Sequence, residues 1–280
     1  MVGMARRVLT AGLLAAVLLT ACTQRGTPAA PQALSTAHAS TTVRPTLSWW
    51  QPHRDVTWQW QLSGTVEIGV SAQVFDIDLF TPPAATVRAL HANGTKVLRY
   101  LDAGSKKPGR PDSAAFPSRV RGRPLVDIED ERWLDVRRTD VPLPLMARRK
   151  DVCPEQGVDG GEPDNVDGFA SATGFGLTAA DRLRHNRALV EMAHVRGLAV
   201  ALENDLSQIP PLAPAFDLAP DEQCFEFDEC NRLLPFIRAG KPVLHVGYAV
   251  PPSRFCAVTT RLGLSSLATH ESLDAYRRAC

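Results

Sequence analysis

Short apolar segments alternate with amphipathic ones along most of the chain, and this alternation predicts strands separated by helices. The predicted strands are 57–62, 74–79, 96–102, 158–162, 198–203, 216–220, 242–246 and 262–267. The predicted helices are 82–92, 141–155, 178–195, 228–239 and 270–279. Thr178, with Asp181 three residues later, is typical of a helix N-cap, whereas Gly94, Gly197 and Gly240 lie where helices should end.

About eight strands separated by helices predict an α/β fold, and specifically a (β/α)8 TIM-type barrel over residues 47–280. A doubly wound open sheet is the alternative, although the sequence lacks the glycine-rich phosphate-binding turn that is usual in that fold. The active site of a β/α barrel is built at the C-terminal ends of its strands. The residues that follow each predicted strand are therefore the candidates for function.

The first residues predict export. Arg6 and Arg7 precede an apolar run at 8–19, which is too short to cross a bilayer because a span needs roughly 20 residues. The run ends in Leu-Thr-Ala-Cys, which resembles a bacterial lipobox. We expect a signal peptide at 1–21 and a lipid on Cys22 that anchors the exported protein to the outer face of the bacterial cell membrane. An ordinary secretory signal is the alternative.

Residues 22–46 are rich in Ala, Thr, Ser, Pro and Gln and show no hydrophobic periodicity, so we expect a flexible linker after the lipidated cysteine. The chain has 31 Lys and Arg against 30 Asp and Glu, which gives no electrostatic reason to expect a nucleic-acid partner. We expect a monomer.

The cysteines predict disulfides, because export favours them. Cys224 and Cys230 are close enough to close a short loop, and Cys256 with Cys280 would staple the C-terminal end. Cys153 is then a free thiol, although other pairings remain open because connectivity is not readable from sequence. No zinc site is expected, since the chain has no CxxC and its histidines are scattered.

The densest polar cluster is GVDGGEPDNVDG at 157–168. Its carboxylates lie among glycines, which allow tight backbone geometry close to a ligand. Neighbouring carboxylates raise one another's pKa, which is how one becomes a proton donor near neutral pH. A solvated acidic turn or a calcium loop is the alternative interpretation of this cluster.

Acidic or amide side chains also follow nearly all of the remaining predicted strands. Besides the cluster, these are Gln61, Asp76, Asp78, Asp102, Glu203, Asn204, Asp205, Glu222 and Gln223. Two chemistries fit such a convergence: carbohydrate hydrolysis, which uses two carboxylates, and a divalent metal site built on the carboxylates from Asp159 to Asp167. Nearby aromatic residues, Trp60 and Tyr248 among them, are suitable platforms for sugar rings and favour the first.

Seven segments carry a more specific likeness. In order they are WQWQLSG at 58–64, VFDIDLF at 74–80, GRPDSAAFP at 109–117, ERWLDVR at 131–137, EPDNVDG at 162–168, AHVRGLAVALEND at 193–205 and DEQCFEFDEC at 221–230. Together they resemble glycoside hydrolase family 114, the endo-α-1,4-polygalactosaminidase family, over nearly all of 49–280. The resemblance implies a β/α barrel and hydrolysis of α-1,4-linked galactosamine-containing polysaccharide without a cofactor or a metal.

The resemblance also implies site residues. The proposed catalytic pair of the family falls on Asp164 of EPDN and Glu222 of E-Q-C. A two-carboxylate mechanism needs a proton donor and a base or nucleophile, and we expect Glu222 to be the acid and Asp164 the ionised partner. The expected substrate-binding residues are Trp60, Asp76, Asp78, Asp102, Glu162, Asn165, Asp167, Asn204 and Tyr248, whose acids would pair with the ammonium of de-N-acetylated galactosamine.

Three positions depart from the family pattern. Lys106 and Lys107 stand where a Glu is usual, Glu203 replaces a Lys, and Gly247 replaces a Glu. A catalytically weak or inactive glycan-binding lipoprotein on the same barrel is therefore the alternative function. Elsewhere, we expect 148–150 to be a solvated helix end, and Arg110 and Asp112 to form an ion pair with each other or to contact sugar.

Overall fold

Eight parallel strands form the centre of the computed structural model, which describes residues 48–126 and 128–280. The strands in chain order are β1 (Trp58–Gln61), β2 (Val74–Asp78), β3 (Lys96–Asp102), β4 (Ser105–Lys106), β5 (Arg121–Leu125), β6 (Ile128–Leu134), β7 (Gly160–Asp164), β8 (Ala199–Val200), β9 (Ala219–Glu222), β10 (Val243–Gly247), β11 (Ser265–Ala268) and β12 (Arg278–Ala279). The α-helices are α1 (Ala84–Ala92), α2 (Pro142–Gln156), α3 (Ala179–His194), α4 (Ile209–Leu212), α5 (Leu234–Arg238) and α6 (Pro252–Leu262). The predicted signal peptide, Cys22 and the linker lie outside the described residues.

The parallel strands follow chain order around the barrel. One run pairs β1, β2, β3, β7 and β8, and another pairs β9, β10 and β11. A bridge between Ala201 and Leu218 joins the two runs. The circuit returns to its start where the Trp58 indole donates to the Ser265 carbonyl at 3.0 Å, although no backbone ladder joins β1 to β11 within the described ranges. The fold is the predicted TIM barrel, with a seam between its first and last parallel strands.

All eight predicted strands correspond to barrel strands, with ends displaced by three residues or fewer. The predicted helix at 270–279 is wrong. That segment ends in β12, which pairs antiparallel with β11, and the Leu273 carbonyl accepts hydrogen bonds from the backbone of Leu62 and Ser63. Tertiary pairing therefore overrides the local helical pattern. The helix predicted at 228–239 is formed in part. Its second half is α5 with a 3-10 turn before it, and its first residues belong to the loop that the Cys224–Cys230 disulfide closes.

A three-stranded antiparallel sheet, β4-β6-β5, lies in the chain between β3 and α2 and has no counterpart in the predicted elements. Its strands read RGRPL and IEDERWL, and most of their residues are exposed. Polar, exposed strands lack the apolar alternation that identifies a strand in sequence. The sheet stands at the C-terminal end of the barrel, where it supplies one wall of the site.

Side chains of the barrel strands alternate between two environments. Along β3, Leu98 packs with the inner core of Trp58, Trp60 and Leu244, whereas Val97 belongs to the core between strands and helices. This alternation follows from the period of two in a strand. Inward positions are apolar near the start of the strands and become polar near their C-terminal ends, which places the polar groups at one mouth of the barrel.

Local signals in the sequence are confirmed at several helix ends. Thr178 Oγ1 accepts from the Asp181 amide at 3.1 Å and the Asp181 carboxylate accepts from the Thr178 amide at 3.0 Å, so both halves of a capping box are present. Gly94, Gly197 and Gly240 each have positive φ.

Both predicted disulfides, Cys224–Cys230 and Cys256–Cys280, are formed. Cys153 is a free, buried thiol, and burial raises its pKa to about 11, so it is an inert part of the core. No helix within 48–126 or 128–280 has the length and the apolar character that crossing a bilayer requires.

Candidate active site

Three carboxylates stand at the C-terminal ends of neighbouring barrel strands: Asp164 ends β7, Glu203 follows β8, and Glu222 ends β9. Each is followed by a residue with positive φ, namely Asn165 at 60°, Asn204 at 49° and Gln223 at 62°. This left-handed backbone is uncommon outside glycine and is best tolerated by Asn. The sharp turns end the strands and return the side chains of Asn165 and Asn204 onto the carboxylates.

Asp164 collects hydrogen-bond donors. The Tyr100 hydroxyl donates to Oδ2, and Asn165 donates through its backbone to Oδ1 at 2.5 Å and through Nδ2 to Oδ2 at 3.0 Å. Burial raises the pKa of Asp164 to about 6, while bonds from Glu203 and Tyr100 work against that rise. Asp164 is therefore ionised at neutral pH.

Glu203 differs from its neighbour in protonation. Burial, followed by the charges of Asp164 and Glu222, raises the pKa of Glu203 well above its ordinary value. As a neutral acid, Glu203 donates a hydrogen bond to Asp164. Glu203 thus stabilises the Asp164 carboxylate without adding a second negative charge.

Glu222 is held by two donors. The Tyr248 hydroxyl donates to Oε1, and Asn204 Nδ2 donates to Oε2 at 3.2 Å. Burial and the Glu222 charge raise the pKa of Tyr248, so its phenol remains a donor. Asn204 also donates to Glu203 and accepts from the Glu222 amide at 2.9 Å, and this one side chain consequently ties β8 to β9.

A cavity of about 590 Å³ opens above these carboxylates, within the size range of small-molecule sites. Its acidic lining residues are Glu131, Asp164, Asp167, Glu203, Glu222 and Glu271. Its aromatic lining residues are Trp60, Tyr100 and Trp133. Among the described lining residues, Lys107 is the one cation, and its Nζ lies 3.8 Å from Asp102 Oδ1 and 3.9 Å from Glu131 Oε2.

The chain can now be compared with known proteins. Residues 39–280 match glycoside-hydrolase family GH114. The chain belongs to this family. Ega3 of Aspergillus fumigatus, solved in complex with galactosamine, is 31% identical with a TM-score of 0.79, and the match covers 83% of this chain and 98% of Ega3.

A second solved structure has the same fold at lower identity. The glycoside hydrolase domain of PelA from Pseudomonas aeruginosa is 15% identical with a TM-score of 0.63, covering 80% of this chain and 98% of that domain. Comparison with curated protein sequences returned no match.

The structure brings six of the expected site residues of this GH114 protein to one cavity. These are Trp60, Asp164, Asn165, Asp167, Asn204 and Glu222. Tyr248 contacts that group through its bond to Glu222. The other four, Asp76, Asp78, Asp102 and Glu162, do not border the cavity, so direct contact with a sugar there is not available to them.

Asp76 and Glu162 lie inside the barrel beneath the cavity and are completely buried. No other side-chain donor in the described part of the chain bonds to their carboxyl oxygens, and two ionised carboxylates cannot donate to each other. Burial raises the pKa of Asp76 to about 7 and that of Glu162 well above its ordinary value, so Glu162 keeps its proton and donates to Asp76. The pair shares one proton in the barrel core.

Asp78 and Asp102 are held by Arg110, whose Nη2 lies 2.5 Å from Asp78 Oδ2 and whose Nε lies 3.3 Å from Asp102 Oδ2. Burial works against ionisation of Asp78, but Arg110 holds the pKa of that carboxyl below its ordinary value. Asp102 in turn lies 3.1 Å from the Tyr100 hydroxyl. These acids therefore support the Tyr100 contact to the site.

The expected ion pair between Arg110 and Asp112 is wrong, since Arg149 pairs with Asp112 instead through bonds of 2.7 and 2.8 Å. The alternative for Arg110 and Asp112, contact with a sugar, stays a prediction. The segment 148–150 is not a solvated helix end, since Arg149 and Lys150 are both buried. Arg149 also donates to the Asp102 carbonyl, which is the reason for its burial beside β3.

The acidic cluster does not form one metal-ligand set. Asp159 precedes β7 and bonds to His91, Lys96 and the Val97 amide, while Asp164 stands at the other end of that strand. Five residues of strand separate the two by roughly 16 Å. Cys224, Cys230 and His245 form a cluster of possible ligands in the described residues, but the two cysteines are consumed by their disulfide.

Tyr100 and Glu131 were not among the expected site residues. Tyr100 lies two residues before Asp102, and side chains two residues apart in a strand share a face, so both lie on the inward face of β3. This spacing in the sequence could have identified Tyr100 as a site residue. Glu131 reaches the site from β6, where it accepts from Ser105 and lies 3.3 Å from Asn165 Nδ2. An added Cβ on Gly104 would lie 1.7 Å from the Asn165 carbonyl oxygen, so glycine is required where these segments meet.

Proposed function

We propose that this GH114 protein hydrolyses α-1,4-linked galactosamine-containing polysaccharide by endo attack, with Asp164 and Glu222 as the catalytic pair. The observation that carries the proposal is the meeting of these two carboxyl groups in one acidic, aromatic cavity at the C-terminal end of the barrel. The likeness to Ega3, which was solved with galactosamine, supports the choice of sugar.

In this mechanism Glu222 acts as the acid. It protonates the glycosidic oxygen as the bond to the anomeric carbon breaks, and the leaving sugar departs with that proton. Asp164 is the ionised partner that stabilises or attacks the anomeric carbon, and water then completes hydrolysis. Asp164 accepts three hydrogen bonds and Glu222 accepts two, and this difference favours Asp164 as the charged member of the pair.

The charge of the cavity supports a cationic substrate. Six acidic residues line the cavity, with Lys107 as the single described cation. An ammonium group on a de-N-acetylated galactosamine would lower the free energy of such a concentration of carboxyl groups, whereas a neutral glycan would leave it uncompensated.

A surface glycan-binding protein on the same barrel is the second candidate. The observation that favours it is Lys107, which stands where a family acid is usual and lies within 4 Å of Asp102 and Glu131. This ammonium occupies part of the acidic wall that a cationic sugar would otherwise use. Saturable binding of galactosamine oligosaccharide without the appearance of new reducing ends would identify this function.

The decisive experiment measures reducing-end release from partially de-N-acetylated α-1,4-galactosamine polymer. We expect Glu222→Gln to lower kcat at least ~100-fold, the usual scale for loss of a general acid. Glu191→Gln, which makes the same chemical change at an exposed position on α3, is the matched control and should retain full activity. Turnover by Glu222→Gln equal to wild type would remove Glu222 from the mechanism.

We also propose that the protein is an exported monomer, held at the outer face of the membrane by a lipid on Cys22 and a linker at 22–46. The support is the lipobox-like sequence before Cys22. Labelled palmitate should be incorporated by the wild-type chain in a bacterial host and not by Cys22→Ala. Equal labelling of the two would reject the anchor.

A further inference from the structure

A second cavity, of about 410 Å³, continues the first one beyond Glu222. Asp167, Asn204 and Glu222 line both cavities, so the two share a common wall. Asp164 borders the first cavity and not the second. The two members of the carboxylate pair are consequently not equivalent: Asp164 faces one cavity, while Glu222 faces both.

Phe227 stands at the wall of the second cavity with 65% of its surface exposed. It is carried by the loop that the Cys224–Cys230 disulfide closes. Within the loop, the Phe227 amide donates to the Gln223 carbonyl at 3.1 Å and the Glu229 amide donates to the Cys224 carbonyl at 2.7 Å. The aromatic ring is therefore presented on a rigid support, which lowers the entropy lost when a ligand packs against it.

Single exposed apolar side chains are common on protein surfaces and by themselves indicate nothing. Phe227 differs because it borders a cavity that also offers polar groups. Asp221 lines this cavity, is fully buried, and has an Oδ2 atom that no donor in the described residues reaches. Gln223 and Asn204 add amide groups to the wall. An aromatic face with nearby polar groups matches a sugar ring, which has an apolar face and a hydroxyl edge.

We propose that the second cavity is the leaving-group subsite and that Phe227 stacks on the sugar residue that departs. The inference rests on the proposed function, because it takes Glu222 as the acid. A sugar whose anomeric carbon meets Asp164 must lie in the first cavity, where Asp164 is. The oxygen that Glu222 protonates belongs to the next sugar, which then extends into the cavity that Glu222 and Phe227 both border.

The test compares Phe227→Ala with wild type on α-1,4-galactosamine oligosaccharides of defined length, with products analysed by mass spectrometry. Loss of the stacking contact should lower kcat/KM roughly tenfold, which corresponds to a contact of the strength usual for aromatic pairs. The cleavage position should also move, because one end of the chain is no longer anchored. Phe227→Trp should restore both properties.

Ile68→Ala is the matched control, since Ile68 is also an exposed apolar residue but borders neither cavity. It should leave kcat/KM and the cleavage position unchanged. The Tm of Phe227→Ala should equal that of wild type, because the removed ring is exposed.

Titration of Glu222→Gln protein with the same oligosaccharides, with and without Phe227→Ala, separates the two possible failures. Hydrolysis by wild type, combined with unchanged kinetics, cleavage position and binding in the Phe227→Ala background, would overturn the subsite and leave the proposed function intact. Absence of hydrolysis by wild type would overturn the proposed function. Binding that weakens about tenfold on Phe227→Ala would then still support a sugar site at the second cavity, and binding insensitive to Phe227 would reject it.

Discussion

The two ends of the barrel use carboxylates in opposite ways. At the N-terminal end, Asp159 precedes β7 and accepts from His91 at 2.9 Å, Lys96 at 2.6 Å and the Val97 amide at 2.9 Å. Every partner of this acid is a donor, and it ties β7 to α1 and β3. Asp164, five residues later at the other end of the same strand, accepts a hydrogen bond from another carboxylic acid, Glu203.

Asp217 repeats the N-terminal pattern. It precedes β9 and accepts from His194 at 2.9 Å, Trp49 at 3.0 Å and the Val200 amide at 2.9 Å. Glu222, at the far end of β9, lies near Glu203 and Asp221, and burial together with the Glu222 charge raises the pKa of both. The comparison teaches that, on β7 and β9, position along the strand decides the role of an acid: the start surrounds it with donors that fix it as a structural residue, and the end places it beside other acids at the cavity.

Substitution of Asp164 is the strongest test of this difference between the two ends of the barrel. We expect Asp164→Asn to lower kcat at least ~100-fold, because the amide can neither carry the negative charge nor attack the anomeric carbon. The fold should tolerate the change, since a neutral side chain relieves the crowding of acids at this strand end. Reducing-end assays measure kcat, and thermal unfolding measures the stability of the fold. A large fall in Tm with retained kcat would show that Asp164 is a structural residue and not a catalytic one.

Tyr100→Phe tests how the C-terminal end holds its charge. Removal of the hydroxyl takes one donor from Asp164, so the pKa of Asp164 should rise above about 6. We expect kcat/KM at neutral pH to fall roughly tenfold, the scale of one hydrogen bond to a charged group. The measurement that decides is the pH profile of kcat/KM, whose acid limb should move to higher pH. An acid limb at the same pH as in wild type would show that the Tyr100 hydroxyl does not determine the charge of Asp164.

Asp217→Asn tests the other end. In either orientation the new amide NH2 faces a donor, because Trp49 contacts one carboxylate oxygen while His194 and Val200 contact the other. The free energy of unfolding should fall by about 1 to 3 kcal/mol, the cost of buried groups left unpaired. Denaturant unfolding gives this value, and kcat should remain at the wild-type level. A loss of kcat at unchanged stability would show that this end is not merely structural.

The stability of the fold should also depend on pH, and the effect is measured as a shift of Tm. Burial raises the pKa of Asp76 to about 7 and of Asp221 to about 8, whereas an unfolded Asp titrates near 3.9. Between these values the folded state binds more protons than the unfolded state, so stability falls as pH rises through this window. We expect a higher Tm near pH 5 than near pH 8, and a smaller difference in Asp76→Asn. A Tm that rises with pH would contradict the shared proton in the barrel core.

The sequence predicted the barrel well because its strands carry strong local signals. Short apolar runs after helix-ending glycines such as Gly94 and Gly197 identify both the strands and their direction. The helix predicted at 270–279 was wrong for the opposite reason. Its conformation depends on pairing with β11 and on Leu273 meeting β1, contacts that join residues distant in sequence.

The site was predicted in part. Asp164, Glu222 and Asn204 follow directly from strand ends, but pattern alone does not reveal which acids border the cavity and which lie beneath it. Asp76 and Asp164 look alike in sequence, and only the packing of the strands buries the first and opens the second. The prediction for Arg149 was wrong for a related reason, since a basic residue in a helix gives no indication that its partners are the Asp112 carboxylate and the Asp102 carbonyl.

The seam between β1 and β11 has a consequence for how the barrel opens. A strand without a backbone ladder on one side has amides that depend on side-chain and loop contacts for protection. The outer edge of β11 is covered by β12, so we infer that hydrogen exchange is fastest at the outer edge of β1 and slowest at β3, which is paired on both sides. The barrel would then open first at β1, and the Cys256–Cys280 disulfide, which fastens the terminal segment beside β11, restricts that opening.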